Sequence, residues 1–364
     1  MTDTYRLPAV ANTRLNALVD RIEAAPGDLI NPREFENLQQ RMDLGAVVRT
    51  LPQGLSEEDL GGILRLALLT ECATDTFATA IDERAKRFDA PWLSRFNNNV
   101  WAPDEATHHT PYKHILMGLG YQEVDLDREI RETRAMPFTH RGGDLPAQVT
   151  TFGVVQEYLT DNWHGLIARL LKSAAPEAAY MATRVKRRET LHTLWYRDMT
   201  ALQLEADPGL IEPVASALLK FEMPGNDILP ELQSSVTRWL PLMGADFQRI
   251  TRDLIRFVYE MMSNTRTAGR FVLEIARQNG RKLGPISAHQ VQMALNRLGG
   301  PGYGLVGEAL LESVGLDYMF KPQRGRQDSG FALYEQPYER LRGLVRTWVS
   351  NQMNFKVTVG GPGF

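Results

Sequence analysis

The chain has 364 residues, 43% hydrophobic and 23% charged, with a net charge of −3; this is ordinary globular usage with material for a large core. Positive and negative residues interleave without a basic tract and no run of 18 apolar residues occurs, which argues against nucleic-acid, anionic-membrane and membrane-spanning roles. The single cysteine, Cys72, excludes an intramolecular disulfide, a zinc ribbon and a protein-bound iron–sulfur cluster, and the opening MTDTYRLPAV lacks a basic-then-apolar signal, so a cytoplasmic protein is expected.

In chain order the pattern is helical almost throughout, and the expected class is all-α. Ser56 is a candidate N-cap for a long helix over about 57–87. Pro103 and Asp104 open a second, over about 103–117. A third covers about 149–173, and Pro176 begins a fourth that continues to about 205. Asp207-Pro208-Gly209 stops it, and further helices follow at about 210–221 and 245–262. Gly-Gly-Pro-Gly at 299–302, QRGRQDSG at 323–330 and the GGPGF tail then punctuate a different texture. The expected division is therefore 1–262 for the helical domain and 263–364 for an appended helical and loop region packed on it.

Within the four long helices the same order of residues occurs twice. Glu71 is followed by Glu105 and His108, and Glu157 by Glu189 and His192. Glu71 and Glu105 are 34 positions apart, Glu157 and Glu189 32. Residues i and i+3 share a helix face, so each E-x-x-H aims a carboxylate and an imidazole at one point. One such pair alone is unremarkable as a solvated helix face. Two pairs with two single carboxylates, one contribution from each of four helices, make a six-ligand box of the di-iron and di-manganese carboxylate type. Mixed carboxylate and imidazole ligation suits iron, with manganese as the other choice, better than zinc. Two ferrous ions can together deliver two electrons to O₂.

The flanking residues extend the pattern. The stretches WAPDEATHH at 101–109, QEYLTDNWHG at 156–165, RRETLHTLWY at 187–196 and KFEMPG at 220–225 lie in the order and spacing of the soluble acyl-carrier-protein (acyl-ACP) desaturases, which the chain resembles over about 60–262. The resemblance implies a ferritin-like helical bundle with a four-helix di-iron core. It also implies a homodimer, a ferredoxin-type electron donor, and an acyl chain held as a thioester on acyl carrier protein. It assigns Glu71, Glu105 and His108 to one iron and Glu157, Glu189 and His192 to the other, with Glu105 and Glu189 as bridging candidates. Thr160, one turn beyond Glu157, would deliver protons near the O₂ site; the competing reading is a hydroxyl bonded to its own i−4 carbonyl. Trp101 matches a tryptophan near the electron route, although a core role fits it equally.

His164, a further turn along, is expected to support or pack rather than ligate, since the box is already full. His109, His114, His140 and His289 read as surface or structural, and Cys72 as a small apolar residue beside Glu71. Two departures stand out. Arg188 occupies the place of an aspartate that would orient a ligating histidine; with Arg187 it reads as a solvated basic face or a dock for an acidic partner. Pro111 sits three residues after His108 and should kink the second helix. Arg188 bears on electron entry, whereas the Pro111 kink and the additional C-terminal hundred residues favour a specialised substrate over an ordinary stearoyl-type one. Hydroxylation or N-oxygenation of a small metabolite is the alternative chemistry, and metal binding without redox turnover the alternative class.

Overall fold

The computed structural model describes residues 5–35, 42–136, 142–223, 233–262 and 265–278, together with His289. Among these the regular structure is entirely helical. The chain divides into two compact units, Met1–Asp246 and Phe247–Phe364. The second unit contains the helices Phe247–Met261 and Thr265–Gln278, each with an apolar stripe; the textural boundary at 262 falls between them. The glycine-rich stretches beyond 298, His140, and the Pro224-Gly225 end of the 220–225 segment lie outside the described residues.

The first unit is built on α1 (Ala9–Ala24), α2 (Leu44–Arg49), α3 (Glu57–Cys72), α4 (Thr74–Arg87), α5 (Pro91–Phe96), α6 (Ala102–Glu105), α7 (Thr110–Gly118), α8 (Glu123–Arg134), α9 (Pro146–Leu171), α10 (Pro176–Ala206) and α11 (Ile211–Leu219). Four features carry the site: α3, the α6–α7 pair, α9 and α10. Prolines open α9 and α10, where the missing N–H costs nothing. A short turn joins them, so the two longest helices pack as an antiparallel pair. Ser56 caps α3 as expected: its hydroxyl accepts the Asp59 N–H at 3.1 Å, while Asp59 accepts the Ser56 N–H at 2.9 Å.

Two of the expected helices are broken. The stretch 57–87 is α3 and α4, divided at Ala73. There the Ala73 N–H bonds back only three residues, to Thr70, and the Thr74 hydroxyl takes the Glu71 carbonyl at 2.8 Å. Threonine hydroxyls compete with the helical ladder in this way. The stretch 103–117 is also two pieces, α6 and α7, separated by a tight turn through 106–109. Pro111 cannot donate to the Thr107 carbonyl; the Thr110 N–H takes it at 3.2 Å, and Pro111 becomes part of the first turn of α7. The expected kink is thus a complete interruption. A π-helical segment, Asn97–Trp101, precedes α6, a feature often found beside functional sites.

Apolar packing closes the bundle on both sides of the ligand positions. Toward one end, Leu64, Leu68, Tyr112, Ile115, Ile167 and Val185 belong to a fully buried core. Toward the other, Phe77, Phe96, Trp101, Phe152 and Tyr196 form a chain of tilted and edge-on rings with centroids 5.2–6.5 Å apart. Along α9 and α10, Glu157, Glu189 and His192 fall between these two layers. Water is excluded from both directions.

Candidate metal centre

All six side chains of the repeated pattern meet in the core. Glu71 is the penultimate residue of α3, and Glu105 the last of α6. His108 follows in the tight turn, where its N–H reaches back to the Glu105 carbonyl at 3.0 Å. The first E-x-x-H is therefore presented by a helix end and a turn, whereas Glu157, Glu189 and His192 come from the regular interiors of α9 and α10. Every one of the six is at most 5% exposed.

Their ligand atoms fall into two groups, each with all atoms within 4.8 Å of one another: Glu71, Glu105, His108 and Glu189, and Glu105, Glu157, Glu189 and His192. Glu105 and Glu189 belong to both. Each imidazole uses Nδ1 toward the cluster. His108 Nδ1 is 2.7 Å from Glu189 Oε1 and 3.3 Å from Glu105 Oε2, while His192 Nδ1 is 2.7 Å from Glu105 Oε1. The lone glutamates stand 3.7 Å from the nearer imidazole, Glu71 from His108 and Glu157 from His192. The two rings lie nearly parallel, with centroids 5.7 Å apart.

The atoms facing inward fit a cation better than they fit each other. His108 Nδ1, His192 Nδ1, Glu105 Oε1 and Glu189 Oε1 are buried and, despite short distances, make no aligned hydrogen bond. A folded protein rarely tolerates that many orphaned buried atoms in one place. Four carboxylates carry a charge of −4, which two divalent cations balance with both imidazoles neutral. With protons alone the balance is uneven. Burial pushes Glu105 and Glu157 above the usual carboxylate range, reinforced by the Glu189 charge. Burial also works against charge on Glu189 and Glu71, yet the imidazoles of His108 and His164 respectively hold these two below it. Burial likewise opposes charge on His108 and His192, but the surrounding carboxylates raise both well above an ordinary imidazole. These buried Glu and His groups could hold metal ions.

Outer partners fix the six in place. Trp101 donates Nε1–H to Glu157 Oε1 at 3.1 Å from a buried position. His164 lies 2.9 Å from Glu71 Oε1 through Nε2, and its Nδ1 meets the Tyr112 hydroxyl. A carboxylate only accepts, so the proton between His164 Nε2 and Glu71 Oε1 is the imidazole's, and the Nδ1 contact continues the chain to the Tyr112 hydroxyl. It supports Glu71 without joining either ligand group. Thr160 sits with its hydroxyl 3.0 Å from Glu189 Oε2 and 3.0 and 3.2 Å from the carbonyls of Glu157 and Gln156. Its one proton has three acceptors, so the hydroxyl can bond its own i−4 carbonyl or turn to Glu189.

Arg188 is not a solvated basic residue. It is 2% exposed, donates from Nε to Asp104 Oδ2 at 2.6 Å, and stacks over Trp195 with its guanidinium carbon 5.6 Å from the ring centre. A guanidinium accepts burial when paired and stacked. Arg187, one residue earlier, is exposed. The expected loss of a supporting carboxylate is offset by Asp104: its Oδ2 accepts from His192 Nε2 at 2.8 Å, and its Oδ1 stands 3.5 Å from His108 Nε2, an ionic contact rather than a hydrogen bond. Of the other histidines, His109 is partly buried and its pKa is pushed down to about 4 by burial and Arg134. His114 is partly buried against the Phe35 ring, and His289 is exposed.

One sequence signal extends the repeat further. A tyrosine stands four residues after each ligand histidine, Tyr112 after His108 and Tyr196 after His192, making E-x-x-H-x-x-x-Y in both halves. Both phenols are fully buried. No protein-family model matches this chain, and no curated protein matches it.

Proposed function

We propose that the protein is an O₂-dependent di-iron oxidase of the ferritin-like, acyl-ACP desaturase type, removing two hydrogens from an acyl chain presented as a thioester. The observation that carries this reading is the pair of overlapping ligand groups sharing Glu105 and Glu189. Cations held by these two groups would share two carboxylates and could act together on one O₂ molecule. Glu71, Glu105, His108 and Glu189 would hold one ion, and Glu105, Glu157, Glu189 and His192 the other. Such a pair of ferrous ions, once bound, would give electrons to O₂, and the reduced oxygen would provide the oxidising power needed to break an unactivated C–H bond. Manganese has the same ligand preferences and is the second candidate.

The chain's own residues do the rest. The apolar layers on both sides exclude water, which protects a strong oxidant from wasteful quenching. Trp101 and His164 fix the two lone glutamates, and Asp104 faces the back of both imidazoles, leaving each Nδ1 lone pair for a cation. Thr160 can hold a proton on Oγ1 toward Glu189 Oε2 or turn it to the Gln156 or Glu157 carbonyl. Rotation of that hydroxyl would thus make or break a hydrogen bond to a shared carboxylate. An acyl carrier protein as substrate carrier, a ferredoxin-type donor and a homodimer follow from the family resemblance over 60–262.

The test is turnover of iron-loaded protein with acyl-ACP substrates, a ferredoxin reducing system and ¹⁸O₂, followed by mass spectrometry. Loss of two mass units with no label in the product is expected. Gain of ¹⁸O assigns hydroxylation or N-oxygenation. Bound metal without substrate-dependent O₂ uptake assigns a storage or structural role.

A further inference from the structure

Arg188 occupies a place that the ligand pattern does not explain. It is a buried cation one residue from a shared carboxylate, and it lies on the same helix face as His192, four positions on. Its guanidinium makes two polar contacts of opposite kinds. Nε donates to Asp104 Oδ2, whose carboxylate faces His192 and His108, and NH1 donates to the Pro26 carbonyl at 2.6 Å. Arg184, one turn earlier, is also buried and holds the same stretch of chain: it donates to the Leu29 carbonyl at 2.8 Å and pairs with Asp28 and Glu34. The segment after α1 is thereby strapped across α10 by two buried arginines.

Gly27 lies in that strap with φ +82°, in the left-handed region, and a Cβ there would stand 2.6 Å from Arg188 NH1. The left-handed backbone favours glycine there. A side chain would press on NH1, the group that reaches the Pro26 carbonyl, and so shift the guanidinium that holds Asp104.

We propose that Arg188 is a positioning and charge-setting residue for both metal sites, acting through Asp104 and seated by the strap at Pro26–Gly27. Two consequences follow from its geometry. Asp104 can present one oxygen to each histidine only while the guanidinium holds it between them. The cation also cancels the Asp104 charge, so the two metals face the net −4 of their own carboxylates rather than −5. Loss of Arg188 would favour the more highly charged ferric state and lower the reduction potential. The inference rests on the cluster being a redox metal centre, but not on which substrate it oxidises.

The experiment uses full-length protein stripped of metal and titrated anaerobically with Fe(II) against a competing chelator. The midpoint potential is then measured, and folding is checked by far-ultraviolet circular dichroism. Folded Arg188→Gln is expected to have a lower potential and to bind iron about 10- to 100-fold more weakly at both sites, the loss of Asp104 positioning outweighing the attraction of the uncancelled carboxylate. Arg188→Lys should recover most of the potential, because it restores the charge, and less of the affinity, because it loses the fork. Gly27→Ala changes no charged group, yet should weaken iron binding several-fold by displacing the guanidinium. Wild-type affinity and potential in folded Arg188→Gln would overturn the proposal. If that variant does not fold, wild-type affinity in Gly27→Ala would do so. A wild-type chain that takes up no iron would instead defeat the metal-centre reading on which the proposal rests.

Discussion

The two halves of the candidate centre use the same ligand order and build it in opposite ways. In the half containing Glu157, Glu189 and His192, the E-x-x-H lies in the uninterrupted interior of a 31-residue helix. In the half containing Glu71, Glu105 and His108, the chain is broken on every side: α3 ends one residue after Glu71, α6 ends at Glu105, and His108 lies in a turn. The supports differ as well. An imidazole backed by a phenol holds Glu71, whereas an indole holds Glu157. Similar ligand geometry from a regular and an irregular backbone shows that the spacing E-x-x-H states which groups converge, not what carries them. The regular half draws its rigidity from the α9–α10 pair; the irregular half needs local capping, the Pro111 turn and His164.

Substitutions can break this comparison at its shared point first. Glu189→Ala and Glu105→Ala each remove a ligand from both groups, so each should abolish iron binding at both sites while helical content survives. Iron analysis and circular dichroism check this. Removing a lone glutamate is narrower: Glu71→Ala or Glu157→Ala should spare one site and leave about one iron per chain, measured by the same assay.

Next in size are the paired phenols. Tyr112→Phe takes the hydroxyl partner from a fully buried His164 and should cost about 1–3 kcal/mol of stability in denaturant titrations. Tyr196→Phe should be nearly neutral or slightly stabilising, since the Tyr196 hydroxyl is buried without a partner. Equal costs would mean that the halves are supported alike. Gly153, one turn before Glu157, lets the Tyr196 ring cross α9, and a Cβ there would meet it at 2.6 Å. Gly153→Ala should therefore destabilise the regular half by about 1–3 kcal/mol through overpacking.

Acidity supplies a graded test. Without metal, both ligand imidazoles bind protons more tightly than ordinary histidines, so iron must displace those protons and its apparent affinity should rise with pH. Titrations at several pH values should show protons released on binding; affinity that falls as pH rises would contradict the ligand assignment. The smallest expected effect is at Cys72. Burial pushes its thiol up to about 12, and it should resist alkylation until the protein unfolds.

Much of the centre was legible in the sequence because ligand chemistry demands particular residue types at particular spacings. The six side chains, the supporting place of His164 and the long helices α9 and α10 could all be read from periodicity and motif. The breaks at Ala73 and after Glu105 could not be placed from periodicity alone. They depend on which carbonyl each threonine or neighbouring N–H captures, a local competition that apolar spacing does not record. Arg188 was misread for a related reason. A charged residue beside another arginine resembles a solvated face until tertiary structure supplies its buried partner, Asp104, which is 84 residues away in the chain. The strap at Pro26–Gly27 carried no periodic signal, and its meaning comes from the guanidinium it seats. The tyrosine repeat, by contrast, was present in the letters of both halves.

The most direct test of the shared-carboxylate centre is the iron content of the wild-type chain after anaerobic Fe(II) loading, followed by Mössbauer spectroscopy after exposure to O₂. Two irons per chain giving a single antiferromagnetically coupled ferric pair is the predicted result. One iron, none, or two magnetically independent ions would contradict it.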